Sequence, residues 1–120
     1  MPRKPKLPPP PSENIECLRF VYYLNMLQSE GRIQRFTHVA NESVSQSQLI
    51  KNQALGTSAG FPDYIIVGKY KLIFVEMKRI RGGRVSPQQQ AWIDTLTSAG
   101  QAASVCKGFE QAKAFVEANI

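Results

Sequence analysis

The stretch GFPDYIIVGKYKLIFVEMK, residues 60–78, constrains this chain more than any other. Residues 64–67 are an aromatic and β-branched run, and Gly68 and Lys69 supply a turn. Residues 72–75 form a second apolar run, too short and too branched for a helix. Two antiparallel strands follow from that pattern. Side chains alternate along a strand, so Glu76 and Lys78 share a face while Met77 points the other way into packing. A tight hairpin then sets Asp63, at the start of the first strand, opposite the region of Glu76 and Lys78.

Two carboxylates and a lysine delivered by adjacent strands suit a hard divalent cation held against a phosphodiester. Mg²⁺ and Mn²⁺ prefer oxygen ligands and leave positions for water and phosphate oxygens. Such a cation lowers the pKa of a bound water, and a lysine beside it orients or deprotonates that water. An ordinary surface hairpin also ends in charges, but it mixes their signs. Here the only acids between Glu42 and Asp94 are Asp63 and Glu76, set among Lys51, Lys69, Lys71, Lys78, Arg79, Arg81 and Arg84. The stretch reads as the site of a metal-dependent nuclease.

Helix and strand signals fill in the rest. Ser12 is an N-cap for a helix over residues 13–28 with an inward stripe of Cys17, Phe20, Val21, Leu24 and Leu27, ended by Gly31. A strand is expected over 32–40 and a short helix over 46–55. Gly56 and Gly60 bracket a loop whose backbone comes close to a phosphate. Arg79, Arg81 and Arg84 in RIRGGR leave the second hairpin strand as a DNA-facing loop. Ser86 with Pro87 opens a third helix whose inward stripe is Ala91, Trp92, Leu96 and Ala99, with Trp92 in the core. A strand over 102–106 and a helix over 109–118, with Phe109, Ala112, Phe115 and Val116 facing in, complete the order. The expectation is an α/β fold with a mixed central β-sheet flanked by helices.

At 120 residues the chain is expected to form one domain over 12–120, preceded by a basic, Pro-rich arm over 1–11, MPRKPKLPPPP. A net charge of +6 favours a polyanionic partner. Cys17 and Cys106 lack metal spacing and read as reduced thiols, and no zinc site is expected. Without a signal-peptide pattern or a membrane-length apolar run, an intracellular, cytoplasmic protein is expected.

GFPDYIIV, IFVEMK, RIRGGR and VSPQQQAWIDTLTSAGQAASVCKG together resemble the VRR-NUC domain of the PD-(D/E)XK nuclease superfamily, with its restriction-endonuclease-like core, especially the small stand-alone members of phages and bacteria. The likeness runs from Gly60 to about Ala118. It implies that Asp63 and Glu76 are metal ligands, with the carbonyl of Met77, and that Lys78 is the catalytic lysine. It implies that Gln89, in an S-x-x-Q-x-x-W pattern, is the active-site glutamine, with Gln88 and Gln90 as competing registers. A helix glutamate of the family corresponds best to Glu13, completing the outer metal shell, with Glu16 the alternative. His38-Val39-Ala40-Asn41 resembles a segment that places His38 and Asn41 near the active face. Lys69, Arg79, Arg81 and Arg84 are expected to contact DNA.

The stand-alone relatives look like dimeric, junction-resolving enzymes. The resemblance therefore implies branched DNA as substrate, Mg²⁺ or Mn²⁺ as cofactor, and a homodimer in a bacterial or phage-infected cell. The first helix is apolar over more than one stripe, which places Tyr22 or Tyr23 at the dimer interface. Two other classes remain: a DNA-binding module of the same fold without activity, and a small interaction protein recruited through its Pro-rich arm.

Overall fold

The protein's structure, a computed structural model, describes residues 12–40 and 44–120. The arm over 1–11 and Asn41 lie outside the described residues. Ser12 Oγ accepts from the Ile15 N–H at 3.3 Å and opens helix α1, Glu13–Ser29. At its far end Gly31, at φ 72°, lets the Gly31 and Arg32 N–H groups return to the carbonyls of Gln28 and Leu27. That left-handed residue satisfies the last carbonyls and turns the chain into β1, Ile33–His38.

A second serine cap, Ser45, starts α2, Gln46–Ala54, none of whose residues is buried. Then come β2, Tyr64–Gly68, and β3, Leu72–Lys78, which pair antiparallel with Tyr64 opposite Val75 and Val67 opposite Leu72. α3, Pro87–Ser98, crosses over to β4, Ala102–Lys107, which lies parallel to β3. α4, Phe109–Glu117, follows. The sheet order is β1-β2-β3-β4 with β1 antiparallel to β2, so the sheet is mixed, as the element order predicts.

β3, one of the two inner strands, contributes to both layers. Ile73, Val75 and Met77 join Phe20, Leu24 and Leu27 of α1 and Ala112 and Val116 of α4 in one buried cluster. Phe74, Glu76 and Lys78 alternate onto the opposite face. There Phe61 meets Phe74 edge to face, and α3 covers the strand ends.

Three packing details differ from the sequence expectation. Tyr23 belongs to the buried cluster, because its ring meets Phe109 and its hydroxyl donates to the Glu117 carboxylate. Only Tyr22 remains exposed, at 79 %. On α3 the buried residue is Ile93, while Ala91 and Ala99 are exposed. Glu16 is 1 % exposed at a core position of α1, four residues before Phe20. Its carboxylate accepts from the Phe109 N–H at 3.0 Å and so caps α4, whose N-cap Gly108 has no side chain to do so.

Candidate active site

The hairpin places the two acids as its pattern predicts. With Tyr64 opposite Val75, Asp63 falls beside Glu76, and Asp63 Oδ2 accepts from the Met77 N–H at 2.9 Å. That bond ties the aspartate to the strand that carries the glutamate. The Val39 N–H donates to the Asp63 carbonyl at 2.7 Å, which pins the aspartate's backbone to the end of β1. His38, just before it, stacks on Tyr64 with ring centroids 5.0 Å apart, close enough for its charge to bear on Asp63.

Glu76 is 2 % exposed. Its Oε1 accepts from Gln89 Nε2 at 2.9 Å and lies 3.6 Å from Lys78 Nζ. Its Oε2 is buried without a hydrogen-bond partner. A buried carboxylate oxygen left that way costs a few kcal/mol. Its neighbour across the strand pair is Asp63, a second carboxylate whose charge opposes its ionisation. Burial, then the Asp63 charge, pushes the Glu76 carboxyl up to about 7, with Lys78 pulling it back. Burial likewise raises Asp63, opposed by the Met77 N–H and by the charges of His38 and Lys78. Both acids are therefore strained as bare anions, and a cation between them would relieve both. The donor set, two carboxylates of which one keeps an unpartnered oxygen, fits a hard divalent ion.

Gln89 earns its position through its helix. Ser86 Oγ accepts from the Gln89 N–H at 3.1 Å, and Gln89 Oε1 accepts from the Ser86 N–H at 2.9 Å, a capping box with Pro87 at the first helical turn. The amide nitrogen left over is the one aimed at Glu76. Gln89 thus holds the glutamate. Of its neighbours, Gln90 turns outward to Asp94 at 2.8 Å. Gln88 abuts Gly60, where a Cβ would stand 2.6 Å from the Gln88 carbonyl carbon. Gly60, at φ 92°, thus packs closely against the first turn of α3, and it also lines the cavity that holds Asp63 and Glu76.

Asp63, Glu76, Lys78, Gln89 and Glu13 all line one open cavity of about 640 Å³, whose outer wall is α2 with the loop after it. Glu13 rather than Glu16 is the glutamate of α1 that reaches the cavity. It stands back from the pair: among the described residues no group of three His, Cys, Asp or Glu side chains is gathered for a metal. Arg79, Arg81 and Arg84 are exposed on the loop leaving β3, and none pairs with a described acid. Lys69 is not brought to the site. It lies at the hairpin tip beside Arg32, Lys71 and Asn119, the far end of β2 and β3 from Asp63 and Glu76. Trp92, expected in the core, is half-buried at the rim, with Nε1 donating to the Ala59 carbonyl at 3.1 Å.

The family model of the VRR-NUC domain matches residues 17–110, which include Asp63, Glu76, Lys78 and Gln89 but not Glu13. Among solved structures, a chain described as a VRR_NUC domain protein is similar with a TM-score of 0.66. The two share 22 % identity over 88 % of this chain and 87 % of that one, a likeness of fold. No curated protein matches the chain.

Proposed function

The chain belongs to the VRR-NUC domain family, which implies a nuclease of the PD-(D/E)XK type, and from that premise we propose a metal-dependent, structure-specific DNA endonuclease that hydrolyses phosphodiester bonds. The observation that carries the reading is Glu76: a carboxylate buried at 2 % exposure, one oxygen held by Gln89 and Lys78 and the other unpartnered beside Asp63. A cation is what such a pair lacks.

In this reading Asp63, Glu76 and the Met77 carbonyl hold Mg²⁺ or Mn²⁺, with Glu13 further out. The ion supplies Lewis-acid stabilisation of the phosphate and a more acidic bound water. Lys78 orients the attacking water and meets the charge that builds on the phosphoryl oxygens. Gln89 keeps Glu76 in place by its hydrogen bond, and its own rotamer is locked by the Ser86 cap. Arg79, Arg81 and Arg84 bind flanking phosphates. Branched DNA, four-way junctions included, is the proposed substrate, cut by a homodimer whose two sites each take one strand. An exposed apolar stripe on α1, formed by Ile15, Leu18, Tyr22 and Met26, supports the dimer.

The test is cleavage of linear duplex, flap, splayed-arm and four-way-junction DNA with Mg²⁺ or Mn²⁺. Asp63→Asn and Glu76→Gln preserve shape and remove the charge. Each should lower turnover by orders of magnitude and abolish metal binding in calorimetry, with DNA affinity kept. Lys78→Met should bind metal and fail to cut. Normal cleavage by either acid variant would overturn the metal assignment. Metal binding and DNA binding without cleavage of any substrate would leave an inactive binding module.

A further inference from the structure

Trp92 is the chain's one tryptophan, and the half-buried position it takes leaves part of the indole open. It lines a surface cavity of about 340 Å³ together with Ser58, Ala59, Gln88, Ala91 and Thr95. The ring is braced. Nε1 donates to the Ala59 carbonyl at 3.1 Å, and the ring meets Phe61 at 75° with centroids 5.0 Å apart. Phe61 in turn meets Phe74 at 6.0 Å, so two aromatic contacts tie the indole to the strand that carries Glu76.

The cavity adjoins the catalytic one, since Ser58 and Ala59 line both. Trp92 follows Gln89 by one helical turn, about 4.5 Å along the axis. Gln89 holds Glu76, so a strand whose phosphate lies at Glu76 would pass within reach of Trp92. A fixed indole accepts the face of any base, and the hydroxyls and amide of Ser58, Thr95 and Gln88 suit polar base edges. A base inside continuous duplex has both faces covered, whereas an unpaired nucleotide can leave the stack and present one.

We propose that Trp92, with Ser58, Gln88 and Thr95, is a subsite for one unstacked nucleobase next to the scissile phosphate. The subsite favours DNA with unpaired or unstacked nucleotides at the cut, as at a branch point, over continuous duplex. The inference rests on the nuclease reading above.

The native chain supplies its own probe. A labelled single-stranded oligonucleotide is titrated with Ca²⁺ replacing Mg²⁺ to prevent turnover. Anisotropy reports binding and Trp92 fluorescence reports stacking. An oligomer of the same length built only of abasic deoxyribose phosphates is the control. Base-bearing DNA should quench the emission in step with binding and bind about tenfold more tightly than the abasic strand. The abasic strand should bind without quenching. Trp92→Leu should remove the tenfold preference, and Trp92→Phe should keep most of it. Equal quenching or equal affinity for the two strands overturns the subsite and leaves the nuclease reading intact. Failure of both strands to bind overturns the subsite, and failure of four-way-junction DNA to bind under the same conditions overturns the nuclease reading as well.

Discussion

A carboxyl raised to about 7 by burial and a neighbouring acid makes Glu76 a liability to the metal-free protein. The unfolded chain releases the proton near the ordinary 4.5 while the folded chain keeps it to about 7. Between those values the folded state binds more protons, so stability falls as pH rises and the loss is complete above about 7. Asp63, raised by its own burial, adds in the same direction. The Glu76 shift alone corresponds to a cost on the order of 3 kcal/mol. The metal-free protein should therefore melt higher at pH 5 than at pH 8. Saturating Mg²⁺ should recover the difference at pH 8, where the pair is ionised and ready to bind it. A melting temperature flat across this range, followed by calorimetry with and without Mg²⁺, would show the two acids to be relieved by something else.

Elements deliver these residues, and α3 is the most exacting of them. Its capping box fixes Gln89, and its first turn presses so closely on Gly60 that no side chain fits between them. Gly60→Ala combines a strained left-handed φ with a contact of 2.6 Å to the Gln88 backbone. It should lower the melting temperature by several degrees, at roughly 4 °C per kcal/mol. It should also move Gln89 off Glu76, so that the rate of cutting falls further than DNA affinity. An unchanged rate would mean that Glu76 does not depend on the helix.

Much of this scaffold was readable in advance because its boundaries are local chemistry. Serine caps at Ser12 and Ser86, the glycine at Gly31 and the branched runs of β2 and β3 act within a few residues. The juxtaposition of Asp63 and Glu76 follows from one short hairpin. The misreadings share a different cause. Glu16 stands as the alternative helix glutamate until its partner, the Phe109 N–H at a sequence distance of 93, arrives from α4. Trp92 looks like core until the rotation of α3 gives the buried position to Ile93 and turns the indole toward Ala59. Lys69 belongs with the site by sequence proximity alone; the length of the strands carries it to the other end.

At the scale of the whole molecule, two exposed surfaces stand out among the described residues, the arginine loop after β3 and an apolar face of α1. Arg79, Arg81 and Arg84 stand exposed on the loop leaving β3, the strand that carries Glu76 and Lys78. Replacing Arg81 and Arg84 by alanine should weaken DNA binding and flatten the slope of log affinity against log salt by about one unit per lost phosphate contact. An unchanged slope, measured by anisotropy from low to moderate salt, would make the loop a plain connector. The apolar counterpart is α1. Its buried stripe is Phe20, Tyr23, Leu24 and Leu27, and a second stripe of Ile15, Leu18, Tyr22 and Met26 faces outward. Spacings of three and four residues keep these four on one side of the helix, beside Phe109 and Lys113 of α4. A helix that satisfies the core with one stripe has no use for the other unless something covers it. A second copy packing α1 against α1 would bury the same patch on both partners, the arrangement a two-fold pair requires. The full chain should sediment as a dimer at micromolar concentration. Leu18→Glu with Tyr22→Glu, at positions exposed in one copy, should yield a folded monomer with an unchanged circular dichroism spectrum. That monomer should nick one strand of a four-way junction without the coordinated second cut. A native chain that sediments as a monomer and makes only single, uncoordinated nicks would remove the dimer while leaving the catalytic pair as it stands.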